Sequence, residues 1–152
     1  MLKRTVLVLF MQITRREEYA LKGIVFLARQ PGTKVTLVGE VSRVEKIPEK
    51  FLAKIFQRLA KAGLLRSIRG AGGGFLLRRP AGEITMREVL EALEGPLAIN
   101  RCLLRRGECG EELGCPLHDV WEEAQEGLLK ILNGTTIEDL VKRIPDGEEG
   151  RR

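Results

Sequence analysis

Residues 48–80 read PEKFLAKIFQRLAKAGLLRSIRGAGGGFLLRRP, and the order of patterns within them decides the fold. Pro48 suits the first position of a helix, where its missing amide hydrogen costs nothing. Leu52, Ile55, Phe56 and Leu59 follow at the i, i+3, i+4, i+7 spacing of one buried helical face. The opposite face shows Lys50, Lys54, Gln57 and Lys61. Gly63, after Ala62, fits a left-handed helix cap. Two short apolar runs, 64–68 and 75–77, then enclose Arg69-Gly70-Ala71-Gly72-Gly73-Gly74 and read as a β-hairpin. Arg66, Arg69, Arg78 and Arg79 bracket that hairpin, with Arg69 at its turn.

Upstream, Thr14-Arg15-Arg16-Glu17 has the form of a capping box. It opens a helix with Ala20, Ile24 and Leu27 on one stripe, stopped by Pro31-Gly32. Thr36 is expected to cap a short helix over 37–43, with 44–47 as the turn into the next. Downstream, Thr85-Met86-Arg87-Glu88 is another capping box, opening a helix through Val89, Leu90 and Leu93 that Gly95-Pro96 ends. Residues 97–116 are loop-like. A longer helix, 117–132, carries Val120, Trp121, Ala124, Leu128 and Ile131, and a short one is expected from 136 to 143 before a charged tail, 144–152. The sequon Asn133-Gly134-Thr135 reads as a helix ending with its turn.

Helix, short helix, turn, patterned helix and basic hairpin, in that order, are the elements of a winged helix-turn-helix. The fold class is therefore mainly α with a small β-hairpin wing. The reading domain spans 11–96 and the cysteine loop 97–116, with the long helix and the short C-terminal helix in 117–143. Such a domain reads double-stranded DNA with an exposed basic helix face in the major groove and a hairpin tip on the adjacent backbone or minor groove. Lys50 and Lys54, one turn apart near the start of the reading helix, sit where groove contacts fall. Phe51 beside them packs in the core or touches a thymine methyl. The candidate DNA contacts are Lys50, Phe51, Lys54, Gln57, Arg66, Arg69, Gly72 and Arg78. The glycine run resembles a phosphate cradle, but no βαβ unit surrounds it and no Lys-Ser/Thr follows, which argues against a nucleotide cofactor. Its glycines serve the wing turn.

Charge is divided along the chain. Residues 1–80 carry 17 Lys and Arg against 5 acids, and the remainder carry 9 against 16. A basic first half joined to an acidic second half fits a polyanion-binding module attached to something with another task. No apolar run approaches a membrane span. Val6–Met11 follows Lys3 and Arg4 but is shorter than a signal h-region and lacks a cleavage site, so a cytoplasmic protein is expected. Translation starts at Met1 or at Met11, which leaves residues 1–10 as an extension.

Cys102, Cys109 and Cys115 fall within fourteen residues, and His118, the only histidine, follows at C-x6-C-x5-C-x2-H spacing. An odd count without a secretion signal argues against a disulfide framework. Thiolates and imidazole suit iron–sulfur clusters and zinc. Structural zinc normally uses tighter C-x2–4-C knuckles, so zinc is the less favoured metal. Buried structural cysteines and a thiol switch, helped by Arg101, Arg105 and Arg106, are the other readings. A cysteine enzyme, with Cys109 or Cys115 as nucleophile and His118 as base, lacks oxyanion donors, so no catalysis is expected. A further reading is an interaction module that docks a partner protein through the acidic half.

The chain resembles the IscR/NsrR (Rrf-two) regulators. The likeness runs from Met11-Gln12-Ile13-Thr14 through Glu18-Tyr19-Ala20-Leu21 and Ile47-Pro48-Glu49-Lys50-Phe51-Leu52. It is most specific at Ala62-Gly63-Leu64-Leu65, at Ser67-Ile68-Arg69-Gly70-Ala71-Gly72-Gly73-Gly74 and at Glu83-Ile84-Thr85 to Glu94-Gly95-Pro96. It covers about residues 11–143. The resemblance implies a homodimeric repressor or activator, crossed through 117–132, on a pseudo-palindromic operator. It implies Lys50, Phe51 and Lys54 in the major groove and Arg69 in the minor groove. It also implies a 2Fe–2S cluster on Cys102, Cys109, Cys115 and His118 that changes DNA affinity. The alternative it offers is a 4Fe–4S nitric-oxide sensor, with Glu18 of the partner subunit as runner-up fourth ligand. Three departures stand out: a first cysteine gap one residue longer than usual, a longer 38–46 segment with no glycine at its turn, and Ala53 where some relatives carry a polar residue.

Overall fold

The computed structural model describes residues 13–104 and 114–145. The expected extension 1–10, Met11, Cys109, Arg105, Arg106 and the last seven residues of the charged tail lie outside the described residues.

Helix α1, Arg15–Ala28, opens at the Thr14 capping box: the Glu17 amide donates to the Thr14 hydroxyl, and the Thr14 amide donates to the Glu17 carboxylate at 2.7 Å. Ala20, Ile24 and Leu27 on its inner stripe are buried. Helix α2 is Val38–Glu45 and α3 is Glu49–Lys61. Leu52, Ile55, Phe56 and Leu59 of α3 are all buried, as their spacing requires. Pro48 is the residue before the first helical turn rather than the first within it. The left-handed cap at Gly63 is present, with φ of 80°.

Thr36 does not cap α2. Its amide donates to the Phe75 carbonyl and its carbonyl accepts from the Phe75 amide, at 2.9 and 2.8 Å. A β-branched residue is thereby used as a single strand position, and Leu37 precedes α2 without a side-chain cap. Gly74 makes this approach possible, because a Cβ there would lie 2.3 Å from the Thr36 carbonyl oxygen. The α2–α3 turn closes without glycine. Lys46 takes the left-handed conformation at φ 54°, an arrangement costing about 1–2 kcal/mol for a residue with a side chain. The Ser42 hydroxyl donates to the Ile47 carbonyl and the Ile47 amide donates back to the Ser42 carbonyl, so bonds on both sides hold the turn.

Strands β1, Leu65–Ile68, and β2, Gly74–Leu77, pair antiparallel with Leu65 opposite Leu77 and Ile68 opposite Gly74. Helix α4, Met86–Glu94, begins at the Thr85–Glu88 capping box and ends at Gly95, φ 83°. Helix α5 spans His118–Gly134, one residue later at its start and two later at its end than periodicity indicated. Helix α6, Ile137–Lys142, returns to pack on α1, placing Ile137 in the same core as Ile24 and Val89. The result is a mainly helical, winged helix-turn-helix body from which α5 departs. Only Leu132 of α5 is buried, whereas Val120, Trp121 and Ile131, and Leu117 just before the helix, are exposed. No helix of the described residues is long and apolar enough to cross a membrane.

Candidate nucleic-acid interface and metal centre

Because α3 buries one face completely, its opposite face is turned outward by geometry alone. Lys50, Lys54 and Gln57 are exposed there, and neither lysine enters an ion pair among the described residues. Both ammonium groups are available to an anion. Phe51 lies at the flank of this face, 42% exposed, with its ring edge-on to Tyr19 of α1 at 5.9 Å. Half of the ring is therefore packed and half remains open. Ala53 is half-buried.

The wing presents a second basic surface. Arg66 lies opposite Leu76 in the ladder, and Arg78, two residues after Leu76, shares its outward side. These three, with Leu77, line one shallow depression. Arg69 is exposed where the turn begins. Gly70 and Gly72 follow with φ of 94° and 73°, values that favour glycine, and no atom within 4 Å would meet a side chain at either. A tip bearing no side chain larger than the Ala71 methyl lets its backbone approach another backbone closely. Arg79, unlike its neighbours, is committed inward: it pairs with Glu88 at 2.8 Å and donates to the Glu83 carbonyl.

Two basic residues have roles that no local pattern revealed. Arg58 of α3 donates to the Leu93 carbonyl at 2.7 Å, and Arg16 of α1 donates to the same oxygen and pairs with Glu94. Both partners are more than thirty residues away in sequence, beyond the reach of any periodicity.

The cysteine segment is anchored on α5. Gln125 accepts from the Ile99 amide at 2.9 Å and donates to the Leu97 carbonyl at 3.1 Å. Cys102 follows in the short helical turn Arg101–Leu103, which packs on α5. Cys115 and His118 sit together at the foot of α5, the His118 amide donating to the Cys115 carbonyl at 3.2 Å. Cys102 and Cys115 are half-buried free thiols. His118 Nδ1 is buried and has no hydrogen-bond partner among the described residues. A buried ring nitrogen left without a partner is costly unless something else bonds to it, which is the condition of a metal ligand. Two thiols and an imidazole of this kind fit an iron–sulfur cluster or zinc. Cys109, the third expected ligand, lies outside the described residues, and among those described no three metal-ligating side chains meet. Glu18 is on α1, exposed and bonded to Lys22 at 2.8 Å; that hydrogen bond, with the charge behind it, lowers its pKa.

Beside this geometry, the Rrf2 family model, described as iron-dependent transcriptional regulator, matches residues 13–143. The chain belongs to the Rrf2 family. It is 36% identical over 141 residues to protein aau3 of Rhizobium meliloti, covering 89% of this chain and 88% of that one. It is 33% identical over 131 residues to the HTH-type transcriptional regulator IscR of Klebsiella pneumoniae, covering 86% and 80%. Among solved structures it is similar to CymR, the global cysteine regulator of B. subtilis. That match has a TM-score of 0.73 at 27% identity, over 89% of this chain and 99% of that one. Rrf2 proteins are DNA-binding transcription regulators, which is not an enzyme class.

Proposed function

We propose that this chain is a cytoplasmic, homodimeric regulator whose binding to a pseudo-palindromic operator is set by an iron–sulfur cluster. Cys102, Cys109, Cys115 and His118 would hold the cluster. The observation that carries this reading is His118 Nδ1, buried and unpartnered beside a half-buried thiol at the foot of a helix with an apolar outer face. A 2Fe–2S cluster is the favoured form, because His118 is poised as fourth ligand while Glu18 is already bonded to Lys22. The 4Fe–4S alternative takes Glu18 of the partner subunit instead. A bound cluster would supply iron–thiolate bonds to the cysteine loop and an iron–imidazole bond to His118 of α5, made or lost with iron, sulfide and oxidant. The protein's residues do the rest. Gln125 positions the loop, α3 presents Lys50, Phe51, Lys54 and Gln57 to the major groove, and Arg66, Arg69, Gly72 and Arg78 bring the wing to the adjacent backbone and minor groove. Leu117, Val120, Trp121 and Ile131 of α5 cover their counterparts in a second copy, which spaces two reading helices for a two-fold operator.

The likeness to CymR supports a second reading, in which the thiols themselves respond and no cluster forms. Anaerobic purification with iron, zinc and acid-labile sulfide analysis separates the two, paired with operator binding before and after cluster removal. Iron and sulfide in comparable amounts, a coloured protein and an affinity that changes on removal support the cluster. Colourless protein with zinc, or with no metal, refutes it and leaves DNA binding standing.

A further inference from the structure

We infer that Arg58 is the positioning residue through which the cysteine loop sets the placement of the reading helix. The inference rests on the cluster-gated reading above. Arg58 is on α3 four residues after Lys54, but it faces α4 rather than the groove-reading side, and its guanidinium donates to the Leu93 carbonyl. That carbonyl belongs to the last turn of α4, where helix geometry leaves acceptors without intrahelical donors. Arg16 supplies a second donor to the same oxygen and pairs with Glu94. Cations at this end also oppose the negative pole of the helix. The end of α4 is thus held from α1 and from α3 at one point.

The other side of that point leads directly to the cysteines. Gly95 turns the chain out of α4, and the Leu97 amide donates back to Glu91 at 3.3 Å. Two residues later, Ile99 is bonded to Gln125 of α5, and Cys102 follows in the turn packed on the same helix. An unbroken series of hydrogen bonds and short chain segments therefore links Cys102 and α5 to α3. Movement of the loop reaches the end of α4 within a few residues. From there, beside the apolar packing of α4 on α3, the Arg58 bond is a directional side-chain link to the helix carrying Lys50, Lys54 and Gln57. Coupling through this series is a difference in DNA affinity between the two states of the loop.

The test uses full-length wild type, Arg58→Met, Arg58→Lys and Arg16→Gln proteins, each with and without cluster. The probe is the tightest duplex that the loaded wild-type protein recovers from a random-sequence pool. Wild type is expected to differ between the two states by roughly tenfold or more, within the usual range for coupled sites. Arg58→Met is expected to bring that ratio close to one, and Arg58→Lys, which keeps a donor, to retain most of it. Arg16→Gln, which leaves the Arg58 bond in place, reduces the ratio only partly. Amide exchange gives a second readout: Leu97 and Ile99 exchange faster in Arg58→Met than in wild type. Arg58→Gln replaces the methionine variant if that variant does not fold. A wild-type ratio in Arg58→Met, or unchanged exchange, overturns the inference alone. A wild-type protein whose affinity ignores the cluster overturns the functional reading and this inference with it.

Discussion

Gly23→Ala tests whether the contact between α1 and the reading helix is as close as the structure has it. A Cβ on Gly23 would lie 2.6 Å from Cε1 and 3.0 Å from Cζ of Phe56, and 3.3 Å from a methyl of Leu52. The ring cannot simply withdraw, because Phe56 is fully buried and its far side meets Phe75, with ring centroids 5.2 Å apart. Overpacking a core by one methyl costs about 1–3 kcal/mol, and a blocked ring places this site at the upper end. Replacing glycine by alanine inside a helix returns about 1 kcal/mol. The net expectation is a loss of about 2 kcal/mol, or a fall in Tm of about 4–8 °C for a chain of this size. Thermal melts followed by circular dichroism, at one fixed protein concentration because a dimer's Tm depends on it, provide the measurement. Phe56→Leu should relieve the clash, so the double variant should be more stable than the sum of the two single losses. A Gly23→Ala protein that melts at or above wild type would falsify the packing argument.

Four further expectations follow from particular residues. Thr36→Val, which removes a buried hydroxyl lacking a partner among the described residues, should leave stability unchanged or raise it by about 1 kcal/mol; a clear loss in denaturant titration would contradict it. Asp139 has its pKa lowered, first by the Thr136 backbone hydrogen bond and then by the Thr136 hydroxyl. A depressed folded value means the contribution is complete above the unfolded pKa and lost as pH falls through the folded one, so Asp139→Asn should flatten the decline of Tm below about pH 4; parallel curves would rule this out. Ile131→Glu should weaken self-association at least about tenfold, equivalent to 1.4 kcal/mol, in sedimentation experiments, and an unaltered dimer would remove α5 as the interface. Lys54→Ala should weaken binding and reduce the slope of log K against log salt by about 2, one phosphate contact per protomer; an unaltered slope would exclude Lys54 from the phosphates.

Much of the fold is written locally. The pairs Thr14–Glu17 and Thr85–Glu88 mark helix starts because the capping box is a four-residue device, and α3 is legible because one face must be apolar for thirteen residues. The wing is legible because its turn demands glycine. Thr36 is ambiguous in sequence for a physical reason: a threonine before an apolar run is equally a cap or a strand residue, and only the distant Phe75 decides between them. Lys46 carries no sign of its left-handed backbone, which Ser42 and Ile47 hold in place. The Arg16 and Arg58 bonds to Leu93 join helices far apart in sequence and leave no local trace. At the cysteine centre, residue types and spacing point to metal chemistry. The burial of His118 Nδ1, by contrast, is a property of the folded chain that spacing does not carry.

The return of α6 to α1 bears on how the molecule is made. Ile137 completes the shared core where α6 packs on α1, and its amide is bonded to the Ile84 carbonyl at 2.8 Å. During synthesis, the nascent reader lacks part of its interior until that isoleucine arrives, by which time every cysteine has been translated. The helical body and the cysteine segment therefore mature together, because the core of the first closes only after the second has been made.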